Sequence, residues 1–157
     1  MDKRNCSSRL PRLSVDVILS QTDTTVGFLS QDAQKLYEIK SRQSSKPFLK
    51  VYKNFKTFLH EHNRIPKNMK NLVRRSKKTT FIVKNKAFRI ASPHLDSQIL
   101  RNIAWGYSTS ANESGKHFDR TFCEAKADII IEDAKGLFES SSSALIKINN
   151  TKKKRLR

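Results

Sequence analysis

The sequence predicts an α/β (α+β) protein in which helices flank a mixed β-sheet, with residues 1–157 forming a single domain. Two observations concern the order of elements: strand and helix patterns alternate at the start of the chain, and two strand patterns follow each other directly in the middle. The third observation is the length of 157 residues, which lies within the usual size of one domain.

The first predicted elements are a strand, a loop and a helix. Residues 15–19 are apolar and β-branched, as in a buried strand, and they lead into the polar loop SQTDTTVG. Ser30 is the predicted N-cap of the helix, which would end near Lys40 and Arg42. The apolar residues with helical spacing are Ala33, Leu36 and Tyr37.

The rest of the chain supplies further helices and strands. Apolar stripes at residues 55–59 and 69–73 predict two helices, and residues 79–83 and 86–90 predict two antiparallel strands joined by a short turn. Another helix is expected to begin at Asp96 and to end at Gly106. Late strands are predicted at residues 127–131 and 143–148, followed by a solvated basic tail at residues 152–157.

The composition is strongly basic. The chain has 32 Lys and Arg against 14 Asp and Glu, for a formal net charge of +18. Such a charge attracts polyanions, including nucleoside triphosphates, RNA and anionic membranes. A lysine-rich and asparagine-rich genome would produce the same excess, so the charge alone does not select a partner.

The sequence carries no pattern of secretion, membrane insertion or metal binding. Cys6 and Cys123 have no redox or metal-ligand spacing, and the first residues lack the apolar core of a signal peptide. No apolar run approaches the roughly 20 residues that a membrane span needs. A reduced, cytoplasmic protein is therefore expected. The histidines, which are expected at the surface, are His60, His62, His94 and His117.

Candidate phosphate ligands are side chains, because no Walker-type loop or dinucleotide fingerprint is present. Lys40, Arg42 and Lys46 lie close together at the predicted helix end and the following Ser-rich loop. Arg grips two phosphate oxygens with its planar fork, and Lys adds a compact charge, so the group suits a triphosphate. A solvated basic face would have the same pattern.

Two polar segments offer hydroxyl and amide groups for ligand oxygens. One is the stretch from Ser108 to Asn112, and the other is the Thr-Asp-Thr sequence at residues 22–24. Each segment could equally be an ordinary Ser/Asn or Asx turn with no ligand.

Taken in order, these segments resemble the YrdC-like family of threonylcarbamoyl-AMP synthases, as a short and divergent member. Residues 21–28 are similar to the family's Pro-Thr-Asp-Thr-x-Tyr-Gly-Leu loop, and YEIKSRQSSKP reproduces its Lys-x-Arg and Lys-Pro. The segment FRI resembles the family's Arg-Val-Pro. STSANESG contains the Ser-x-Asn phrase, and SALIKI resembles the late Ser-Thr-Val-Val-Asp strand.

The resemblance implies a twisted mixed sheet flanked by helices around a basic cavity. It implies a synthase that joins L-threonine, bicarbonate and ATP into threonylcarbamoyl-AMP and pyrophosphate, with Mg²⁺ accompanying ATP. The product would pass to a separate transferase complex acting on tRNA. Carried over residue by residue, the ATP contacts are Lys40, Arg42, Lys46, Ser110, Asn112 and Arg157, and the threonine contacts are Thr22, Arg89, Ser108 and Ser143. The resemblance assigns no general base and no metal ligand.

The chain also departs from the family pattern. Val26 replaces an aromatic ring, and residues 76–78 replace a stiff Pro-Gly-Pro segment, so substrate packing and loop rigidity differ. Basic residues around Arg74 and Arg75 extend the positive charge toward RNA. A second interpretation is therefore a noncatalytic double-stranded RNA-binding or nucleotide-binding module with the same fold. The other replacements are Gln21, Ala91 and Ala144.

Overall fold

The computed structural model describes residues 14–41, 45–92 and 99–157. In these ranges nine strands form one sheet, in the order β7-β1-β2-β6-β3-β5-β4-β8-β9. The strands are β1 (Ile18–Gln21), β2 (Val26–Ser30), β3 (Leu49–Tyr52), β4 (Thr79–Val83), β5 (Lys86–Ile90), β6 (Trp105–Ser110), β7 (Ile129–Ile131), β8 (Ala144–Ile148) and β9 (Lys153–Arg155).

The sheet is mixed, as the sequence predicts. Strand β1 pairs parallel with β7, β3 with β5, and β4 with β8, while the remaining neighbours are antiparallel. The predicted hairpin at residues 79–90 is confirmed as β4 and β5. Its turn residues Lys84 and Asn85 both have positive φ, at 47° and 63°, which is the backbone of a tight two-residue hairpin turn.

The described helices are short. They are α1 (Ala33–Lys40), α2 (Phe55–His60), α3 (Lys70–Arg75) and α4 (Arg120–Lys126), with 3-10 turns at Lys67–Met69 and Leu100–Asn102. Asp32 caps α1, because its side chain accepts from the backbone N–H groups of Gln34 and Lys35. The described part contains no helix with the length and apolar character needed to span a bilayer.

All four helices pack on one face of the sheet. Directly paired residues in neighbouring strands point to the same side, and alternate residues point to opposite sides. One core cluster joins Leu19 and Phe28 with the helices α1 and α4, and a second joins Phe81 and Phe88 with α2 and α3. In the second, the rings of Phe58 and Phe88 stack with centroids 4.4 Å apart.

The other face carries a smaller cluster of Ile18, Leu29, Val51 and Leu100. Val51 pairs with Arg89 on one side and with Gly106 on the other, so these residues also belong to this face. Arg89 therefore lies on the face that points away from the four helices. The candidate site is on this face of the sheet.

Three local predictions are wrong. Ser30 is the last residue of β2, and the cap of α1 is Asp32. Gly106 does not end a helix: it lies in β6 opposite Val51. Residues 153–155 are exposed, as predicted, but they form an edge strand paired with β8. The predicted helix start at Asp96 lies outside the described residues.

Candidate functional site

A small polar pocket lies on the face opposite the helices, where the ends of β2 and β6 meet β3, β5 and the loop after β1. Its volume is about 40 Å³, enough for a few water molecules or one small ligand group. Gly27, Leu49 and Arg89 line it together with six Ser or Thr residues. The hydroxyl residues are Thr22, Thr24, Thr25, Ser108, Thr109 and Ser110.

The loop after β1 orders its hydroxyls through local hydrogen bonds. The Thr22 hydroxyl donates to the carbonyl of Thr25 at 2.8 Å and accepts from the backbone N–H of Thr24 at 3.2 Å. Next to the loop, the backbone N–H of Val26 donates to the carbonyl of Phe138 at 3.2 Å. The Thr-Asp-Thr sequence thus does form a side-chain-stabilised turn, and this turn is also one wall of the pocket.

A buried ion pair supports that wall. The Arg89 guanidinium donates through Nη1 to Asp23 Oδ1 at 2.8 Å and to the Thr24 hydroxyl at 3.0 Å. The other Asp23 oxygen accepts from the Ser92 hydroxyl at 3.0 Å. Both charged side chains are almost fully buried, at 7% exposure for Arg89 and 1% for Asp23. Burial without such a partner would be costly for either charge.

One donor of Arg89 is not used by the protein. Its Nε–H is buried and has no hydrogen-bond partner among the described residues. An unpaired donor on a buried cation costs free energy, so such a group calls for a particular explanation. Arg89 also lines the pocket, so this buried cation lies directly beside it.

Gly27 allows close approach of the neighbouring strand. A Cβ at this position would lie 3.0 Å from the carbonyl oxygen of Thr109 and 3.3 Å from Cγ2 of Thr22. The first distance is tighter than nine in ten real Cβ contacts. The missing side chain therefore keeps the pocket floor open between β2 and β6.

A second network anchors the loop after β6. The ammonium group of Lys40, at the end of α1, is buried and donates to the carbonyl of Ser110 at 3.1 Å and to Asn112 Oδ1 at 2.7 Å. It also donates to the carbonyl of Asn112. The Ser110 hydroxyl donates to the same Asn112 side chain at 2.6 Å. Lys40 thus fixes the Ser-Ala-Asn loop from behind the pocket.

Cysteine and metal chemistry have no support in this region. Burial raises the pKa of the Cys123 thiol to about 11, so the thiol stays protonated at neutral pH and is a poor nucleophile. Within the described ranges there is no group of three His, Cys, Asp or Glu side chains that could hold a metal ion.

The structure brings some predicted site residues together and separates others. Thr22, Arg89, Ser108 and Ser110 line the pocket, and Lys40 and Asn112 stand behind it. Ser143 lies in another buried contact, with its hydroxyl 2.9 Å from that of Thr80. Arg157 does not line the pocket, and its side chain donates to the Ser143 carbonyl. Lys46 is exposed and does not line the pocket either. Arg42 lies outside the described residues.

Sequence analysis missed three residues of the site. Asp23 lies within a motif already singled out, and its position between two threonines is a signal that it is held in the same turn. Gly27 falls on the glycine of the family loop that residues 21–28 resemble. Ser92 gave no signal, because its contact with Asp23 joins segments 69 residues apart in sequence.

No protein-family profile and no curated protein sequence match the chain. Its fold is similar to solved structures. Sua5 of P. abyssi in complex with L-threonine matches with a TM-score of 0.72 at 18% identity, over 90% of this chain and 50% of that one. E. coli YciO matches with a TM-score of 0.69 at 16% identity, over 90% of this chain and 82% of that one. Full-length HypF in a phosphate- and nucleotide-bound form matches with a TM-score of 0.69 at 13% identity, over 90% of this chain and 26% of that one.

The chain spans about half the length of the Sua5 structures that it matches. At these identities the likeness concerns the arrangement of strands and helices. The protein therefore has a YrdC-like fold, shared with Sua5 and YciO.

Proposed function

We propose that this protein is an L-threonylcarbamoyladenylate synthase, which makes threonylcarbamoyl-AMP and pyrophosphate from L-threonine, bicarbonate and ATP for tRNA modification. The observation that carries the proposal is the unpaired Nε–H of buried Arg89 in a pocket lined by hydroxyl groups. A small hydroxylated amino acid offers the matching groups, a carboxylate and a hydroxyl. The similarity of the fold to Sua5 with bound L-threonine supports this choice.

Threonine is proposed to bind in the pocket. Arg89 would hold its carboxylate, because one side of the guanidinium already pairs with Asp23 and Nε–H remains as a donor. Thr22 and Ser108, which line the same pocket, would bind the remaining polar groups. Ser143 would join them from the neighbouring contact with Thr80.

ATP is proposed to bind beside the threonine, along the loop after β6. Ser110 and Asn112 would contact the nucleotide, and Lys40 orders both of them through its hydrogen bonds. Phosphate charge would be met by the exposed cations Lys46 and Arg157, with Arg42 joining from the segment before Lys46. Mg²⁺ would enter as part of MgATP, since the described residues offer no cluster of metal ligands.

In the proposed reaction the threonine amine attacks the carbon of bicarbonate, and water leaves to give the carbamate. A carbamate oxygen then attacks the α-phosphorus of ATP. The bond from the α-phosphorus to the bridging oxygen breaks, and pyrophosphate leaves with its electron pair. Positioning of the two substrates and neutralisation of the leaving charge would supply the catalysis, with no residue acting as a general base.

The competing candidate is a noncatalytic double-stranded RNA-binding or nucleotide-binding module. The observation that favours it is the loss of the aromatic ring at Val26, next to the pocket wall, and of the stiff segment at residues 76–78. HypF, which shares the fold, is bound to phosphate and nucleotide in its solved structure. A cytoplasmic location suits both candidates, whereas delivery of the adenylate to a transferase complex belongs to the first candidate only.

The test is release of pyrophosphate by the purified protein with MgATP, measured with and without L-threonine and bicarbonate. Thr22→Ala removes a pocket hydroxyl, and Thr121→Ala removes an exposed hydroxyl on α4 as the matched control. Release that needs both co-substrates and falls at least about tenfold in Thr22→Ala alone is expected. ATP binding without any such release would favour the module instead.

A further inference from the structure

One aromatic ring of this protein is exposed to solvent. All aromatic residues lie in the described part of the chain, and each of them except Phe138 is buried or partly buried. Phe138 is 45% exposed. A single apolar side chain on a surface is ordinary, so its meaning depends on how firmly it is held and on what lies beside it.

The backbone that carries this ring is held by three hydrogen bonds. The backbone N–H of Phe138 donates to Gln21 Oε1 at 3.0 Å, and its carbonyl accepts from the backbone N–H of Val26 at 3.2 Å. Two residues further on, the backbone N–H of Ser140 donates to the Thr25 hydroxyl at 3.1 Å. Both backbone groups of Phe138 are therefore occupied, and the exposed ring needs little ordering when a ligand binds.

Phe138 lies at the rim of the candidate pocket. Val26, to which it is bonded, stands in the chain between Thr25 and Gly27, and both of these residues line the pocket. The carbonyl of the same Val26 accepts from the backbone N–H of Ala111 at 2.9 Å. Phe138 and the Ser-Ala-Asn loop thus meet on one residue, and Phe138 lies beside the loop along which ATP is proposed to bind.

The residue after Phe138 carries a negative charge into the same region. The Glu139 carboxylate accepts from the backbone N–H of Phe118 at 3.5 Å, and it lies 3.1 Å from Nδ1 of His117, so it also joins this segment to the loop after β6. A carboxylate repels a phosphate group, which is an anion as well. The part of a nucleotide that suits this rim is therefore the uncharged base and not the triphosphate.

We propose that Phe138 is the stacking platform for the base of the bound nucleotide. The inference rests on the proposed function, because that function places ATP along the Ser-Ala-Asn loop. Stacking on an aromatic ring strengthens binding of any base, since every base has a π-face. Phe138 would supply affinity for the adenine, while the triphosphate is left to the proposed cations Lys46 and Arg157.

The test is isothermal titration calorimetry with MgATP in the absence of threonine and bicarbonate, so that the proposed reaction does not run. Magnesium tripolyphosphate is the probe that carries the phosphates without a base. Phe138→Ala removes the ring, and Leu59→Ala, which shortens a side chain with 37% exposure on α2, is the matched control. Phe138→Trp keeps a ring and adds a fluorophore, with the native protein and its single Trp105 as the baseline.

Phe138→Ala is expected to bind MgATP at least about fivefold more weakly and magnesium tripolyphosphate within about twofold of the native protein. Leu59→Ala should bind both probes as the native protein does. Phe138→Trp should retain the affinity for MgATP, and its added fluorescence should be quenched by MgATP and not by tripolyphosphate. The Tm of Phe138→Ala should stay near the native value, because the ring is exposed. Unchanged affinity for MgATP in Phe138→Ala, or equal losses for both probes, would overturn the platform.

Pyrophosphate release by the native protein judges the proposed function separately. Threonine-dependent release with an unchanged KM for ATP in Phe138→Ala would keep the synthase and overturn the platform. Base-dependent binding through Phe138 without any release would keep the platform and overturn the synthase. A native protein that binds no MgATP would overturn both.

Discussion

Two ion pairs in this protein have nearly the same N–O distance and very different surroundings. Arg89 and Asp23 approach to 2.8 Å, and Arg120 and Glu132 approach to 2.6 Å. The first pair is buried at the pocket wall, whereas the side chains of the second are 50% and 30% exposed. Water replaces a lost partner in the second case and not in the first, so burial and not distance decides what each pair contributes.

The largest effect is expected from Arg89→Met. It leaves the Asp23 carboxylate buried without its cation, which costs about 3–5 kcal/mol of the free energy of unfolding. Urea denaturation followed by circular dichroism measures that loss, and Arg120→Met is the control on the exposed pair. Threonine-dependent pyrophosphate release should vanish in Arg89→Met and persist in Arg120→Met.

The double variant Asp23→Asn/Arg89→Met separates folding from function. With the carboxylate neutralised, most of the lost stability should return, because no buried charge is left unpaired. Activity should stay absent, since the guanidinium is still missing. Recovery of activity together with stability would mean that Arg89 only holds the fold.

The sequence was informative about the fold where its signals are local. The hairpin at residues 79–90 and the helix ending at Lys40 follow from alternation, helical spacing and turn residues. Strands β2, β3 and β6 were not predicted. Their segments mix Gly, Ser and Lys with apolar residues, and their strand character comes from pairing with distant segments, such as β2 with β6.

The candidate site also has parts that local sequence signals reveal and parts that depend on distant segments. The Thr-Asp-Thr and Ser-Ala-Asn segments were visible as ordered motifs, and the structure places members of both at one pocket. The partner of Asp23 lies 66 residues away and that of Lys40 lies 72 residues away, so no local pattern reveals either contact. The support that Arg89 and Lys40 give to the pocket walls therefore arises only in the folded chain.

A similar comparison holds for two lysines that contact the loop after β6 or lie within it. Lys40 is buried and satisfies three oxygen atoms, while Lys116 is 67% exposed and pairs with Glu113 at 2.7 Å. Lys40→Met should cost about 2–3 kcal/mol, because it removes three part-buried hydrogen bonds of a charged group. Lys40→Met should also raise the KM for ATP, because the Ser-Ala-Asn loop loses the hydrogen bonds that order it.

Lys116→Met should change stability by about 0.5 kcal/mol or less. Thermal and urea denaturation of both variants, with ATP titration of pyrophosphate release, check the contrast. Equal destabilisation by the two substitutions would show that the hydrogen bonds of Lys40 contribute no more than those of a surface lysine.

The smallest effect is expected at the exposed pair and depends on pH. The hydrogen bond from Arg120 holds the pKa of Glu132 below its usual value of 4.5. A carboxylate with a lowered folded-state pKa stabilises the fold above its unfolded value, and this contribution is lost as the pH falls through the folded-state pKa. Glu132→Gln should therefore lower the Tm slightly at pH 7 and lose its difference from the native protein as the pH falls well below 4.5. Differential scanning fluorimetry from neutral to acidic pH measures this, and a difference that persists undiminished at low pH would mean that Glu132 acts through packing and not through its charge.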